Sequence, residues 1–193
     1  MPNLLVYAGP NGSGKSTITT QFRTIGQYVN ADEIKKKLSC SDIEAAQIAD
    51  STREYLLNKS KDFTFETVLS THAKIEFLTK AKEKGYHITC IYILTNNPKI
   101  NIERVRRRVS KGGHSVPIKK IINRYVRALK LIPELISICD ELFIYDNSSN
   151  YTDFIYNRIV SSNNSVYLSP NNNWSLEMLN QLISGEYSNN FED

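Results

Sequence analysis

Within nine positions, Gly9-Pro10-Asn11-Gly12-Ser13-Gly14-Lys15-Ser16-Thr17 places three glycines beside a lysine and a hydroxyl. Glycines let the backbone turn tightly, so that successive N–H groups face inward and hold an anion. A helix beginning near Lys15 adds its unpaired N–H groups and positive dipole end to the same spot. Lys15 is then placed to reach the β- and γ-phosphates of a nucleotide, and the Ser16 hydroxyl to sit on Mg²⁺. The apolar run Leu4–Ala8 precedes the loop and a helix-compatible stretch follows it. A glycine-rich turn before an ordinary helix has a similar composition, but these flanks favour a site for a nucleoside triphosphate such as ATP.

Phosphoryl transfer needs two further things: a group that orients or deprotonates the acceptor, and cations on the developing charge. Asp32 follows the short apolar stretch Tyr28–Ala31. It suits a base that accepts a hydroxyl proton, and equally a first-turn helix acid; the two roles are compatible. Glu66 lies among Phe65, Val68 and Leu69. A carboxylate there needs a partner: a ligand hydroxyl, the water shell of Mg²⁺, or an arginine. Thr67 adds a hydroxyl at the same strand end, either toward substrate or as a local cap. Arg104 and Arg108 are four apart and share a helix face, whereas Arg106 and Arg107 point elsewhere and read as solvated. Gly112, Gly113 and Pro117 interrupt that helix, and Arg124 and Arg127 lie on the next one. This is the form of a lid that brings guanidinium groups onto a transferring phosphate, with Arg108 and Arg124 the best placed; such arginines are often worth ~10³ in rate. His114, in the lid loop, either meets phosphate or caps the helix restart, while His72 and His87 read as structural.

Strands are expected at Leu4–Ala8, Tyr28–Asp32, 62–70, 86–94, 141–147, 154–160 and 166–168. Between them fall helical patterns at about 15–24, 41–59, 72–84 and 98–109, then 118–132 and 174–183. Alternation of this kind predicts an α/β architecture, the P-loop NTPase fold, with a parallel sheet of about five strands, helices on both faces and a helical lid. Ligands in such sheets bind beyond the carboxyl ends of the strands, where Asn11, Asp32, Glu66, Thr67 and Asn147 should collect. The 193 residues suit one domain, with a core at about 1–147 and an Asn/Ser-rich extension at about 148–193.

No apolar run approaches ~18 residues, so no membrane span is expected. The run Leu4–Ala8 leads straight into the glycine loop and has no leader character, which predicts a cytoplasmic protein. Three scattered cysteines (Cys40, Cys90, Cys139) read as reduced thiols. The net charge of +4 is modest, and anionic nucleotide substrates account for it as readily as nucleic acid.

Together these stretches resemble the zeta-toxin-like P-loop kinases. The matching segments are the glycine loop, Asn30-Ala31-Asp32-Glu33-Ile34, and Phe65-Glu66-Thr67-Val68-Leu69-Ser70. The most specific is the lid: Arg104-Val105 through Arg108-Val109, Gly112-Gly113-His114-Ser115-Val116-Pro117, then Arg124-Tyr125. The resemblance implies an ATP- and Mg²⁺-dependent phosphotransferase acting on a small-molecule hydroxyl; in zeta toxins proper this is on the sugar of UDP-N-acetylglucosamine. It further implies that residues 9–17 with Arg104 and Arg108 hold ATP and that Ser16 holds the metal. Asp32 would be the base, Glu66, Thr67 and His114 would join it on the substrate, and Lys15, Arg108 and Arg124 would act on the transferring group. An antitoxin protein is admitted as a partner.

Two rival readings concern other classes. A transporter-type ATPase would need Leu135–Glu141 as an acid-terminated strand, but Pro133-Glu134 fits a helix start better, and no Leu-Ser-Gly-Gly stretch occurs. A nucleic-acid-binding NTPase or polynucleotide kinase would use Lys35–Lys37 and the arginine run. No aromatic residues interleave that run to stack bases, which disfavours it.

Overall fold

A computed structural model describes residues 1–20, 22–149, 152–159, 165–170 and 173–187. In chain order the elements are β1 (Asn3–Ala8), α1 (Lys15–Thr19), β2 (Gln27–Val29), α2 (Ala31–Leu38), α3 (Asp42–Asn58), β3 (Phe63–Thr67), α4 (His72–Glu83) and β4 (His87–Leu94). They continue with α5 (Pro98–Ser110), α6 (Ile118–Lys130), α7 (Ile132–Ile138), β5 (Glu141–Asp146), β6 (Asp153–Ile159), β7 (Ser165–Leu168) and α8 (Leu176–Ser184).

One sheet runs in the order β2-β3-β1-β4-β5-β6-β7. Its first five strands are mutually parallel, and β6 and β7 extend it antiparallel. The expected five-stranded parallel sheet is therefore present, with a hairpin added at the β5 edge. β1 and β4 lie in its interior and read as nearly unbroken apolar runs because helices cover both faces. Side chains alternate accordingly. Leu4, Val6 and Ala8 enter the larger core, while Leu5 and Tyr7 pack with Ile18, Ile91 and Ile93 on the opposite face. Trp174, Leu179 and Leu182 belong to the same core as Leu4, so the described part of the Asn/Ser-rich tail closes over the sheet.

Three boundaries differ from expectation. The helix after the glycine loop ends at Thr19 rather than near Thr24. β2 stops at Val29 instead of reaching Asp32, because the Asn30 side chain accepts the Asp32 N–H and turns the chain into α2. β3 stops at Thr67 rather than reaching Ser70, and Leu69 beyond it takes a left-handed backbone with φ of 50°. Elsewhere local chemistry sets the helix ends. Ser41 and Glu44 form a reciprocal capping box on α3, and Asn97 with Pro98 opens α5. Leu135–Ile138 lies in helix α7, so the strand that a transporter-type ATPase would require is absent there.

Candidate active site

The glycine loop joins β1 to α1 at the carboxyl edge of the sheet and is fitted against three other elements. A Cβ on Gly9 would fall 2.0 Å from the Ile93 carbonyl oxygen, and one on Gly14 would fall 2.2 Å from Asn147 Nδ2. Gly14 has φ of 99°, a backbone state that side chains resist. Buried Asn101 donates to the Asn11 carbonyl (2.7 Å), and Asn147 donates to the Ser13 carbonyl (2.7 Å), so the loop is held from outside. Lys15 Nζ donates to the Gly9 and Pro10 carbonyls at 2.7 and 3.0 Å. Burial pushes this ammonium down to about 8, with Arg108 and Arg124 adding to the fall while Glu66 and Asp32 oppose it.

Across from the lysine lies a second cluster built from side chains. Ser16 Oγ donates to Glu66 Oε1 at 3.2 Å. The Tyr28 hydroxyl (3.0 Å) and Asn30 Nδ2 (3.1 Å) donate to Glu66 Oε2. Asn30 Nδ2 also donates to the Tyr28 oxygen (2.9 Å), while its Oδ1 caps the Asp32 N–H at 2.8 Å. One asparagine thus ties the Glu66 carboxylate to the backbone at the start of α2, where Asp32 sits. An arginine was one of the partners open to Glu66; the partners described are instead three neutral donors and no arginine. Burial, reinforced by Glu66, pushes the Tyr28 hydroxyl well above the usual phenol range. Asp32 is exposed in the first turn of α2. Thr67 Oγ1 accepts the Leu69 N–H at 3.1 Å, the local-cap alternative, and Thr67 also lines the cleft.

Helices α5 and α6 with the loop 111–117 form the third wall. They share a small core of Val105, Val116 and Ile121. Eleven of the 24 Lys and Arg residues fall between residues 98 and 130, against one acid, Glu103. Arg104 Nη1 reaches the Ser13 carbonyl (3.4 Å), Arg124 Nη1 reaches Asn11 Oδ1 (3.2 Å), and Arg108 Nη2 donates to the His114 carbonyl (2.8 Å). His114 Nε2 lies 3.9 Å from Asp42 Oδ2, bringing the lid loop to the start of α3. Arg107, read as pointing elsewhere, pairs with Glu103 and yet lines the cleft beside Arg108, whereas Arg106 lines a separate apolar hollow with Ile102 and Val109. His72 and His87 face Glu134 (3.5 Å) and Glu141 (3.4 Å), away from the cleft.

These walls enclose a cleft of about 1140 Å³, above the ~300–1,000 Å³ of common ligand sites and large enough for a nucleotide beside a second molecule. Asn11, Gly12, Gly14, Lys15, Ser16 and Thr17 line it, together with Asp32, Glu66, Thr67, Arg104, Arg108, His114 and Arg124. Gly9, Pro10 and the fully buried Ser13 are not among its lining residues and act by shaping the loop. Asn11, Asp32, Glu66, Thr67 and Asn147 do collect at one sheet edge. Tyr28, Asn30, Arg53 and Asn101 are the residues that sequence reasoning passed over. Asn30 carried a signal, since an Asn directly before a helix is a preferred cap. Tyr28 follows by strand periodicity, two residues earlier on the same face.

A P-loop α/β fold with one large cleft at the carboxyl edge of its sheet defines the class. Residues 29–159 match the family model described as Zeta toxin, well over half of the chain, and the chain belongs to the zeta toxin family. The match begins after the glycine loop, so the loop and the family assignment are independent observations. An uncharacterized protein of Haemophilus influenzae is 31% identical over 127 residues, 63% of this chain and 91% of that protein. Among solved structures, the AvrRxo1-ORF1:AvrRxo1-ORF2 complex with sulphate ions superposes with a TM-score of 0.72 at 16% identity, covering 100% of this chain. This chain spans 66% of the length of its match there, and the same pair has been crystallised with ATP. A structure from the PezAT chromosomal toxin-antitoxin system of Streptococcus pneumoniae gives a TM-score of 0.55 at 18% identity, covering 96% of this chain and 85% of the other. At such identities these structures speak for the fold. Among the described residues no helix is long and apolar enough to cross a membrane.

Proposed function

We propose that this protein is a kinase that transfers the γ-phosphate of ATP to a hydroxyl of a small molecule, and that the whole chain works as one kinase domain. The observation that carries the reading is the facing of two ends in one cleft. Lys15 and the glycine loop lie at one end; at the other lies an exposed carboxylate, Asp32, whose backbone N–H is capped by Asn30, the residue that also donates to Glu66. ATP fits the loop by chemistry, since Lys15 and the first-turn N–H groups of α1 are donors that phosphate oxygens can take over from the loop's own carbonyls. Mg²⁺ fits as well. Ser16 and Glu66 offer oxygen at the loop, the hard donor type that this ion accepts together with phosphate and water. When bound, the ion would neutralise charge on the β- and γ-phosphates.

Asp32 accepts the proton of the acceptor hydroxyl as that oxygen bonds to the γ-phosphorus and the bond to the ADP oxygen breaks. Arg108 and Arg124 hold the charge that develops on the transferred group; Arg104 holds the loop and the nucleotide beside it. Glu66, Thr67 and His114 shape the acceptor end. The family resemblance makes UDP-N-acetylglucosamine the first acceptor to try, and the PezAT likeness makes an antitoxin protein a partner to look for. Use of ATP supports a cytoplasmic setting for the reaction.

Incubation with ATP, Mg²⁺ and a panel of hydroxyl compounds led by UDP-N-acetylglucosamine, with products read by mass spectrometry, tests the reading. One added phosphate on an acceptor, absent with Asp32→Asn, is expected. Release of ADP with every acceptor unmodified would contradict it for the panel used.

A further inference from the structure

The cleft extends past Asp32 to a wall made by α3 and the segment after β3, where Ala45, Ala46, Ala49 and Val68 face the cavity. Arg53 sits in this wall with its side chain only 7% exposed, its guanidinium 5.1 Å from the centre of the Phe65 ring. A guanidinium removed from water is costly unless its donors are satisfied. It carries five N–H donors in a fixed fork. Among the described residues Arg53 reaches one acceptor, Asp50, through Nη2. Asp50 is itself shared with Lys74, whose Nζ lies 2.6 Å away, and it stays 57% exposed. One carboxylate therefore serves two cations. Glu54 adds negative charge near Arg53 without a hydrogen bond to it, so most of the donor fork of this cavity-lining arginine has no acceptor among the described residues.

We propose that Arg53, backed by Lys74, anchors an anionic group of the acceptor, so that the acceptor is a phosphate- or carboxylate-bearing compound seated along α3. This rests on the kinase reading for the word acceptor, but the anion site itself does not. Guanidinium forks bind both phosphate and carboxylate oxygens in pairs, and the Phe65 ring beneath the guanidinium supports it by a cation–π contact. Asp50 competes with the incoming anion for the same donors and restrains the site when it is empty.

The test is a titration of inorganic phosphate, and separately of malonate, into the full chain with the glycine loop first saturated by a non-hydrolysable ATP analogue and Mg²⁺. Binding is read from the amide NMR shifts of Ala45, Ala46 and Ala49. Arg53→Met should weaken the preferred anion by about tenfold or more, and Lys74→Met by less. Asp50→Asn should tighten it by severalfold. The ATP analogue should bind all three variants within about twofold of wild type. Opposite signs for Arg53→Met and Asp50→Asn are the signature, since a loss of fold would weaken both. Which of the two anions binds tells phosphate from carboxylate. No binding of either anion to the wild type, no change in Arg53→Met, or changes of the same sign in both variants would each overturn the proposal. Failure of the ATP analogue to bind, with the anion pattern intact, would instead remove the kinase reading and leave the anchor.

Discussion

The two ends of the cleft are built in different ways. The end proposed for phosphate is nine consecutive residues whose backbone N–H groups would do most of the binding, held in shape by Asn101, Asn147 and the close approach of Ile93. The end proposed for the acceptor is an assembly of side chains from β2, α2, α3, β3 and α4, joined through Asn30, Glu66 and Asp50. Phosphate looks the same in every nucleotide, so a short local design suffices for it. An acceptor must be told from its competitors, and that requires groups placed by tertiary structure.

The largest expected effect separates the ends completely. Asp32→Asn should lower kcat by about 10³-fold while ATP affinity stays within about twofold, measured by steady-state rates and calorimetry. A comparable loss of ATP affinity would mean that the ends are not distinct. Gly14→Ala should act in the opposite sense. A Cβ 2.2 Å from Asn147 Nδ2 at φ of 99° forces the loop to shift, so about 2 kcal/mol of strain should appear as a roughly 30-fold weaker Kd for ATP.

pH sharpens the contrast next. The Lys15 ammonium, held at about 8 against 10.5 for a free lysine, is neutral in much of the nucleotide-free protein above pH 8. ATP should then bind with proton uptake, and its affinity should fall by up to about tenfold per pH unit above 8. Stability runs the other way. Between 8 and 10.5 the unfolded chain binds more protons at Lys15 than the folded one, so this residue's contribution to the stability of the nucleotide-free protein rises with pH in that window. Calorimetry in buffers of different ionisation heat checks the first claim, and chemical denaturation of wild type against Lys15→Met checks the second.

Two smaller effects lie at the acceptor end. Asn30→Ala removes the cap on α2 and a donor to Glu66, and should lower stability by about 1 kcal/mol with a roughly tenfold fall in kcat. Tyr28→Phe leaves Asn30 to hold Glu66 and should be smaller in both, below about 1 kcal/mol in urea unfolding. A Tyr28→Phe effect exceeding that of Asn30→Ala would break the assigned hierarchy.

The phosphate end was legible in the sequence because its residues are contiguous and its glycines mark backbone states that few other residues adopt. The parallel strands were legible from their apolar runs, and the lid from Gly112, Gly113 and Pro117 between two amphipathic helices. Less was legible where a side chain overrides propensity. Asn30 ends β2 early by capturing the Asp32 N–H, so the strand expected to reach Asp32 stops at Val29. Glu66 was read as needing a ligand or an arginine, yet Tyr28 and Asn30 satisfy much of it from a strand 36 residues or more away. Arg53 carried no pattern of its own, and only the packing of α3 sets it over Phe65. Those pairings are set by strand order, and no periodicity states strand order.

The central claim is that the far end of the cleft serves an acceptor rather than water. The most direct measurement is the rate of ADP formation from ATP and Mg²⁺ with and without the acceptor found in the panel, for wild type and Asp32→Asn. The account predicts that acceptor speeds ADP formation in the wild type by about 100-fold or more and has no such effect in Asp32→Asn. ADP formation at the same rate with or without acceptor, unchanged in Asp32→Asn, would contradict it.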